Sequence, residues 1–406
     1  MRVLVFVIVA ISSAHAQSPL TLAQAQAEAR QRAPQSVRAE AGLAAARLRA
    51  SGAGRAVRDP SVTARYQQGD ADDRAWAVGL EWTVDPFGGF RSRRDAASSA
   101  VTSAAEQRAA LLLELDVEVA IALAELADAQ RRVARTVKLV ELRQLASRTA
   151  ERAKTTGTGT QLEIDAALLD LRGAQIDGAN ARGDLEAARA RLARLLGRRD
   201  ASSLTAADEI DVAPVPALQP GDDLIERDPR VRAARADLVA ARHAADAERK
   251  SARPELTLGV EVGRARHEIP MGVLPVAAAW QEWELAVSLS VPLPLIDRNR
   301  AARANANAEV LAAEARLAEI RAEIHSDLGE ARARLVAAVE AATAAADIPQ
   351  ILDREVQLLD KALRSGGIEL DAWNQQARRF VEAARTYDEV ILALRRARAE
   401  WTRLVR

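Results

Sequence analysis

From Arg91 to Lys154 the chain contains neither proline nor glycine, and this uninterrupted stretch restricts the possible folds more than any other feature. Within it Leu112, Val119, Leu126, Val133 and Val140 recur at a spacing of seven, the seam of a helix packed in coiled-coil fashion. At 1.5 Å per residue, a helix of about 64 residues is roughly 96 Å long, several times the width of a small domain. Such a helix projects and needs partners along its length. Ala122 and Ala129 occupy the neighbouring seam position, where small side chains allow close approach. The cluster "TTGTGT", Thr155 to Thr160, stops the helix, and a second helix is expected to return from about Gln161 to Leu196.

The second half repeats this arrangement. A helix is expected from about Arg298 to Arg364, then an "SGG" turn at Ser365 to Gly367, then a return helix to about Val405. Pro349 interrupts the outgoing helix, and a kink is expected there because proline removes a backbone donor and clashes with the preceding turn. "LEIDA", Leu162 to Ala166, and "IELDA", Ile368 to Ala372, each open a return helix at a hairpin tip. "APQSVRAEAGLAAAR" around Pro34 aligns without a gap on "DPRVRAARADLVAAR" around Pro229, and "VGLEWTVDPFGGFRSR" from Val78 parallels "LAVSLSVPLPLIDRNR" from Leu285. A period near half the chain signals a duplicated unit, not a solenoid. The expected organisation is a first repeat at residues 17–200, a linker at 201–221 containing Pro214, Pro216 and Pro220, and a second repeat at 222–406.

Composition excludes several classes. Aromatics make up only 3% of residues, and much of the 49% counted as apolar is alanine, which buries little area per side chain. The abundance of Ala, Leu, Arg and Glu favours long helices over a large globular core. Lys plus Arg and Asp plus Glu both number 57, so no basic field points to nucleic acid. The absence of cysteine removes disulfides, thiolate metal sites and lipidation of a cysteine. His243, His267 and His325 are isolated, and no phosphate-binding glycine loop is present, since "TGTG" has no following lysine. An enzyme, a resident metal and a cofactor are therefore not expected. At the N-terminus, Met1 and Arg2 precede an apolar run from Val3 to Ile11 and then "SSAHAQ", in which Ala14 and Ala16 form an A-x-A cleavage pattern. Residues 1–16 are read as a secretory signal peptide, too short to span a bilayer.

Four short stretches alternate. Trp76, Val78, Leu80, Trp82 and Val84 alternate with polar or small residues, as do Leu256 to Val262 and Trp283 to Val291, with a weaker fourth candidate at Ser61 to Gln67. Each is near the 9–11 residues of a tilted transmembrane strand. They form two expected hairpins with connections at Gly69 to Ala75 and Arg264 to Glu282. A soluble sheet packed on helices gives the same alternation. Export and the placing of Trp76, Trp82 and Trp283 near strand ends, as in an aromatic girdle, favour the membrane. Four strands cannot close a barrel, so other copies of the chain must complete it.

The order of parts resembles the TolC-type outer-membrane efflux family over essentially the whole mature chain. The resemblance rests on "LTLAQAQAEARQRAP" and its counterpart "LIERDPRVRAARADL", both strand pairs and both tips, and "VPLPLIDRNRA" looks like the outer-membrane components of cobalt-zinc-cadmium type cation efflux systems. It implies a mainly α fold in which long helical hairpins form a periplasmic tunnel. Each chain would give four β-strands to a trimeric twelve-stranded barrel in the outer membrane. It implies a homotrimer in contact with outer-membrane lipid, a periplasmic adaptor and an inner-membrane pump of the resistance-nodulation-division type, with no nucleic acid. The function implied is a passive conduit for export, heavy-metal cations included; the alternative is a periplasmic coiled-coil adaptor or structural protein. Gly157, Gly159, Gly366 and Gly367 would form the tips that meet the adaptor. Asp165 and Asp371 are the nearest matches to the family's aperture acids, though Asp371 lies closer to its tip glycine than usual and is followed by Asn374 and Gln375. A solvated helix face accounts for both aspartates equally well.

Overall fold

The computed structural model describes residues 19–53, 59–68, 74–207, 222–251, 253–270, 277–292, 299–365 and 369–405; the expected signal segment lies outside them. The first half forms α1 (Leu22–Arg32), α2 (Pro34–Gly52), β1 (Ser61–Gln68), β2 (Arg74–Val84), α3 (Gly89–Thr155) and α4 (Gln161–Leu196). The second forms α5 (Asp222–Arg227), α6 (Pro229–Ser251), β3 (Leu256–Pro270), β4 (Ala277–Ser290), α7 (Arg300–Ala344), α8 (Ile348–Ser365) and α9 (Leu370–Val405). Pro34 and Pro229 each stand first in their helix, where the missing amide proton has no partner to lose. Their match in the sequence thus marks the same structural event twice. Where Pro349 predicts a kink, α7 ends at Ala344 and α8 begins at Ile348 with proline second. The proline starts a new helix there and does not bend a continuous one.

The chain divides into two compact units, and each draws on both halves of the sequence. In the unit made of Met1–Arg38, Leu111–Leu224 and Ile324–Arg406, α3 supplies Leu115, Val119, Ala122, Leu123, Leu126 and Ala127 to a core shared with Ala25, Ala29 and Ala33 of α1 and Leu192, Leu195 and Leu196 of α4. The alanines of α1 let its backbone approach α4 closely. A capping box between Thr21 and Gln24 begins α1. Leu204 and Ala206 also enter this core, held by a bridge in which Leu20 donates to the Thr205 carbonyl at 2.8 Å. Arg198 donates to Glu28 at 2.6 and 2.7 Å, and that hydrogen bonding holds the Glu28 carboxyl below its ordinary pKa.

The seven-residue seam holds only in part. Val119 and Leu126 are fully buried, but Val133 and Val140 are half-buried, and beyond Ala129 burial passes to Leu139, Leu142, Ala146 and Ala150. A straight helix of 3.6 residues per turn drifts about 20° per heptad. The buried face of α3 therefore rotates onto a different set of neighbours along its length.

Buried charge ties α3 to α9 in the same unit. Asp388 is 3% exposed and accepts from Arg131 at 3.4 Å and from Arg135 at 2.9 Å. Asp128 shares Arg131, and burial, reinforced by the Asp388 carboxylate, pushes its pKa up against the pull of Arg131 and Arg132. A carboxyl raised in the folded state contributes stability below its unfolded pKa and loses it as pH rises through the folded value. Asp128→Asn is therefore expected to raise the thermal midpoint at pH 7 to 8, with the gain shrinking toward pH 4. Asp388→Asn should instead lower the midpoint, costing up to about 3 kcal/mol, by leaving the half-buried Arg131 and Arg135 short of an anion. A pH series of melts on both variants checks this; a lower midpoint for Asp128→Asn at neutral pH would show that its arginine contacts dominate.

The other unit, Ala39–Ala110 with Ile225–Glu323, holds the sheet. Its helical part buries Leu43 of α2, Val231 and Leu238 of α6, and Leu317 of α7. Ser103 and Gln107 of α3 both donate to Asp237 of α6. The sheet is antiparallel in the order β1-β2-β3-β4. Its second hairpin is longer than the alternation suggests. β3 runs on to Pro270 and β4 begins at Ala277, so most of the expected connection from Arg264 to Glu282 is strand. The apolar alternation ends at Val262, but backbone pairing continues through polar residues.

Candidate functional site

Side chains of a strand alternate between faces, so the register sorts the sheet into rows. On one face lie Val84 with Leu256; then Trp82, Leu258 and Leu289; then Val62, Leu80, Val260 and Val287; then Ala64, Val78, Val262 and Leu285. The next row is Tyr66, Trp76, Arg264 and Trp283. This face is uncovered: Leu285 and Val287 are each 71% exposed, and Val62, Val78, Leu80, Val262 and Leu289 are exposed too. A soluble sheet buries its apolar face; this one presents it outward. From Trp76 to Val84 the strand covers about 27 Å, close to the apolar band of a membrane barrel once tilted.

The opposite face is small and polar. Gly79 lies beside Glu261, and Gly259 beside Glu81. A Cβ at Gly79 would meet Thr63 Oγ1 at 2.7 Å and Glu261 Cβ at 3.3 Å, so glycine leaves room for the neighbouring carboxylate. The described side chains here include Glu81, Glu261, Glu282 and Glu284 against Arg65 alone among the basic residues.

The three girdle tryptophans do not sit together. Trp76 and Trp283 meet edge to face, with ring centres 5.9 Å apart at 85°, whereas Trp82 shares their face three rows nearer the helices. Tyr66 joins the first pair in register; it falls in the weakest predicted strand and so carried no signal of its own.

At the first hairpin tip, Gly157 has a φ of 79°, a conformation open to glycine. A Cβ on Gly159 would stand 2.9 Å from the Lys154 nitrogen. Thr160 caps α4 in a box with Glu163. Asp165 is exposed and accepts from Gln161 at 2.9 Å; Asp371 is exposed in the first turn of α9, with no bond between the two aspartates among the described residues. Gly366 and Gly367 lie outside those residues.

What the fold brings together near the tip is a cluster the sequence did not mark. Arg143 of α3 donates to Asp170 of α4 at 3.0 Å and to Asn374 of α9 at 2.5 Å, and its guanidinium lies 5.1 Å from the centre of the Trp373 ring. Burial pushes the Arg143 pKa down while Asp170 opposes it. Trp373 is fully buried against Leu142, Ala146, Leu359, Leu363 and Ala377. This cation fastens the two hairpins to each other. One arginine among so many has no local signature, although a tryptophan directly after "IELDA" is a usable one. Farther along α4, Leu162, Leu169 and Ile176 form an exposed apolar stripe at a spacing of seven, and α8 exposes Ile351 and Leu358.

Long paired helices joined to a sheet with its apolar face turned outward define an outer-membrane channel of the TolC type. The sequence matches the family described as "Outer membrane efflux protein" over residues 10–198 and 221–405, and the chain belongs to that family. A comparison with curated proteins finds no match. Among solved structures, the chain is similar to the open state of the Neisseria gonorrhoeae MtrE outer membrane channel, with a TM-score of 0.73 at 20% identity over 95% of this chain and 88% of that one. It is similar to the Campylobacter jejuni CmeC outer membrane channel, with a TM-score of 0.73 at 13% identity over 95% and 85%. A structure of CusC, described by its folding and transmembrane channel formation, gives a TM-score of 0.73 at 16% identity over 94% and 91%. At such identities these likenesses concern the fold. The family assignment sets aside the adaptor and structural-protein readings, and the chain acts as a passive conduit, not as an enzyme.

Proposed function

We propose that three copies of the chain close a twelve-stranded barrel in the outer membrane and export cargo, heavy-metal cations included, handed on by a periplasmic adaptor and a resistance-nodulation-division type pump. The observation that carries this reading is a four-stranded sheet with an outward apolar face and with β1 and β4 as its edges. Open edges are not tolerated in lipid, and repetition of the chain removes them. The exposed stripes on α4 and α8 suit further contact between copies. Residues 1–16 act as the signal peptide, and residues 17–200 and 222–406 as the two repeats. The tips at Gly157, Gly159, Gly366 and Gly367 meet the adaptor.

A cation preference is supported by the surplus of carboxylates on the small, polar face of the sheet, together with the exposed Asp165 and Asp371. Cross-linking of detergent-purified mature protein should give three chains; a stable monomer that forms no pore in planar bilayers would overturn the conduit assembly. In such bilayers, Asp165→Asn with Asp371→Asn should lower cation selectivity without changing trimer yield, because a ring of like charge near a narrow aperture favours counter-ions. Adding Glu81→Gln, Glu261→Gln and Glu284→Gln should lower it further. Unaltered selectivity in both sets would mean that these carboxylates are merely solvated.

A further inference from the structure

The four segments that join helix to sheet are basic in a chain that is neutral overall. Residues 47–60, 85–95, 246–255 and 292–303 hold 13 Lys and Arg against 7 Asp and Glu, whereas the whole chain holds 57 of each. Most of the described carboxylates in these segments are already engaged. Asp85 accepts from the amides of Phe87 at 3.1 Å and Phe90 at 2.6 Å and lies 3.6 Å from Arg93. Glu255 faces Arg93 at 3.7 Å, Asp246 accepts from Arg249, Glu248 accepts from Asn299 and Ser251, and Asp59 is engaged as well. Arg91 and Arg94 of α3 are exposed and make no hydrogen bond or ion pair among the described residues. Asp95 is the one described carboxylate of these segments in the same condition, so positive charge is left over.

Helix stability does not account for these arginines. Both α3 and α7 begin with arginine and without an acidic residue in the first turn, the reverse of what the positive end of a helix dipole favours. Their level says what they meet. Val84 and Leu256 form the last row of the apolar face, and Phe87, 45% exposed, follows in the turn before α3, where Arg253 donates to its carbonyl at 3.3 Å. At 1.5 Å per residue, Arg91 and Arg94 fall within about 8 Å of the start of the helix. A headgroup layer outside the hydrocarbon is roughly 5–8 Å deep. Because the helices of this channel type extend into the periplasm, that layer is the inner one. Guanidinium groups bind phosphate through paired hydrogen bonds. We propose that Arg91 and Arg94 form a binding site for the phosphate of an anionic phospholipid in the periplasmic leaflet of the outer membrane. The site rests on the membrane-barrel reading above, and three copies would carry three of them.

The probe is phosphatidylglycerol, offered to the mature protein in vesicles beside phosphatidylcholine, whose headgroup has no net charge. The protein should insert with either lipid and should retain phosphatidylglycerol preferentially through purification, as read by native mass spectrometry. Arg91→Gln with Arg94→Gln removes no contact among the described residues, so melting midpoint and conductance should stay unaltered while retention falls about tenfold. Arg91→Lys with Arg94→Lys, which preserves charge but not the paired geometry, should fall between. Arg148→Gln with Arg379→Gln, equally exposed but toward the tip ends of α3 and α9, should retain the lipid fully. Full retention by the Arg91→Gln, Arg94→Gln variant, an equal loss in the tip variant, or equal retention of phosphatidylcholine would overturn the site. Displacement by millimolar inorganic phosphate would make it a free-anion site and overturn the lipid assignment. Failure of the unmodified protein to insert into any vesicle would instead count against the barrel reading.

Discussion

Leu126→Asp is expected to leave no cooperatively folded protein at room temperature. Leu126 is fully exposed to its neighbours and fully hidden from water, in a cluster with Ala29 of α1, Val119 and Leu123 of α3, and Leu192 and Leu196 of α4. Truncating a core leucine costs about 2–5 kcal/mol, and burying a carboxylate without a cation adds several more or forces its protonation. The sum reaches the whole stability of an ordinary domain, about 5–15 kcal/mol. Arg131, the nearest basic residue along α3 on the C-terminal side, is already engaged with Asp128 and Asp388, so rescue would break a second buried contact. Far-ultraviolet circular dichroism through a thermal melt of the detergent-solubilised protein checks this. A melting curve like that of the unmodified chain would show that the central stretch of α3 is not the core.

Much of the fold was legible because its signals are local. A stretch without proline or glycine, a glycine-threonine cluster that stops it, and proline at the start of a helix all act within one or two turns, and the echo of Pro34 at Pro229 records the last of them twice. The centre of the α3 seam was legible for the same reason, since Val119 and Leu126 enter one core. Its continuation was not, because a strict repeat of seven ignores the drift of a straight helix, and Val133 and Val140 rotate away from the core. The extension of β3 beyond Val262 was hidden because Arg264 and Arg266 interrupt the apolar pattern while the ladder continues. Arg143, Asp170 and Asn374 belong to three helices far apart in the chain, and only tertiary packing brings them into contact. Division of the chain into spatial units was equally hidden, since each unit takes segments from both halves.

Val287→Arg and Ala286→Arg are adjacent substitutions with opposite expected outcomes. In the chain alone both positions are exposed on β4, so a sheet in water would accept arginine at either. In a membrane barrel they differ. Val287 lies in the middle row of the apolar face, between Leu289 and Leu285 along its strand and beside Val260. An arginine at the midplane of a lipid-facing surface costs about 2–4 kcal/mol, hence roughly 6–12 kcal/mol when three copies share one barrel. Ala286 points to the polar face and pairs with Glu261, so an arginine there gains a carboxylate partner and meets water. Val287→Arg should therefore lose most of the membrane-inserted protein, and Ala286→Arg should insert normally while lowering cation selectivity. The measurement is the yield of folded protein in outer-membrane fractions, followed by conductance of whatever inserts. Equal insertion of the two variants would mean that the apolar face does not meet lipid, and loss of Ala286→Arg alone would mean that the two faces have been assigned the wrong way round.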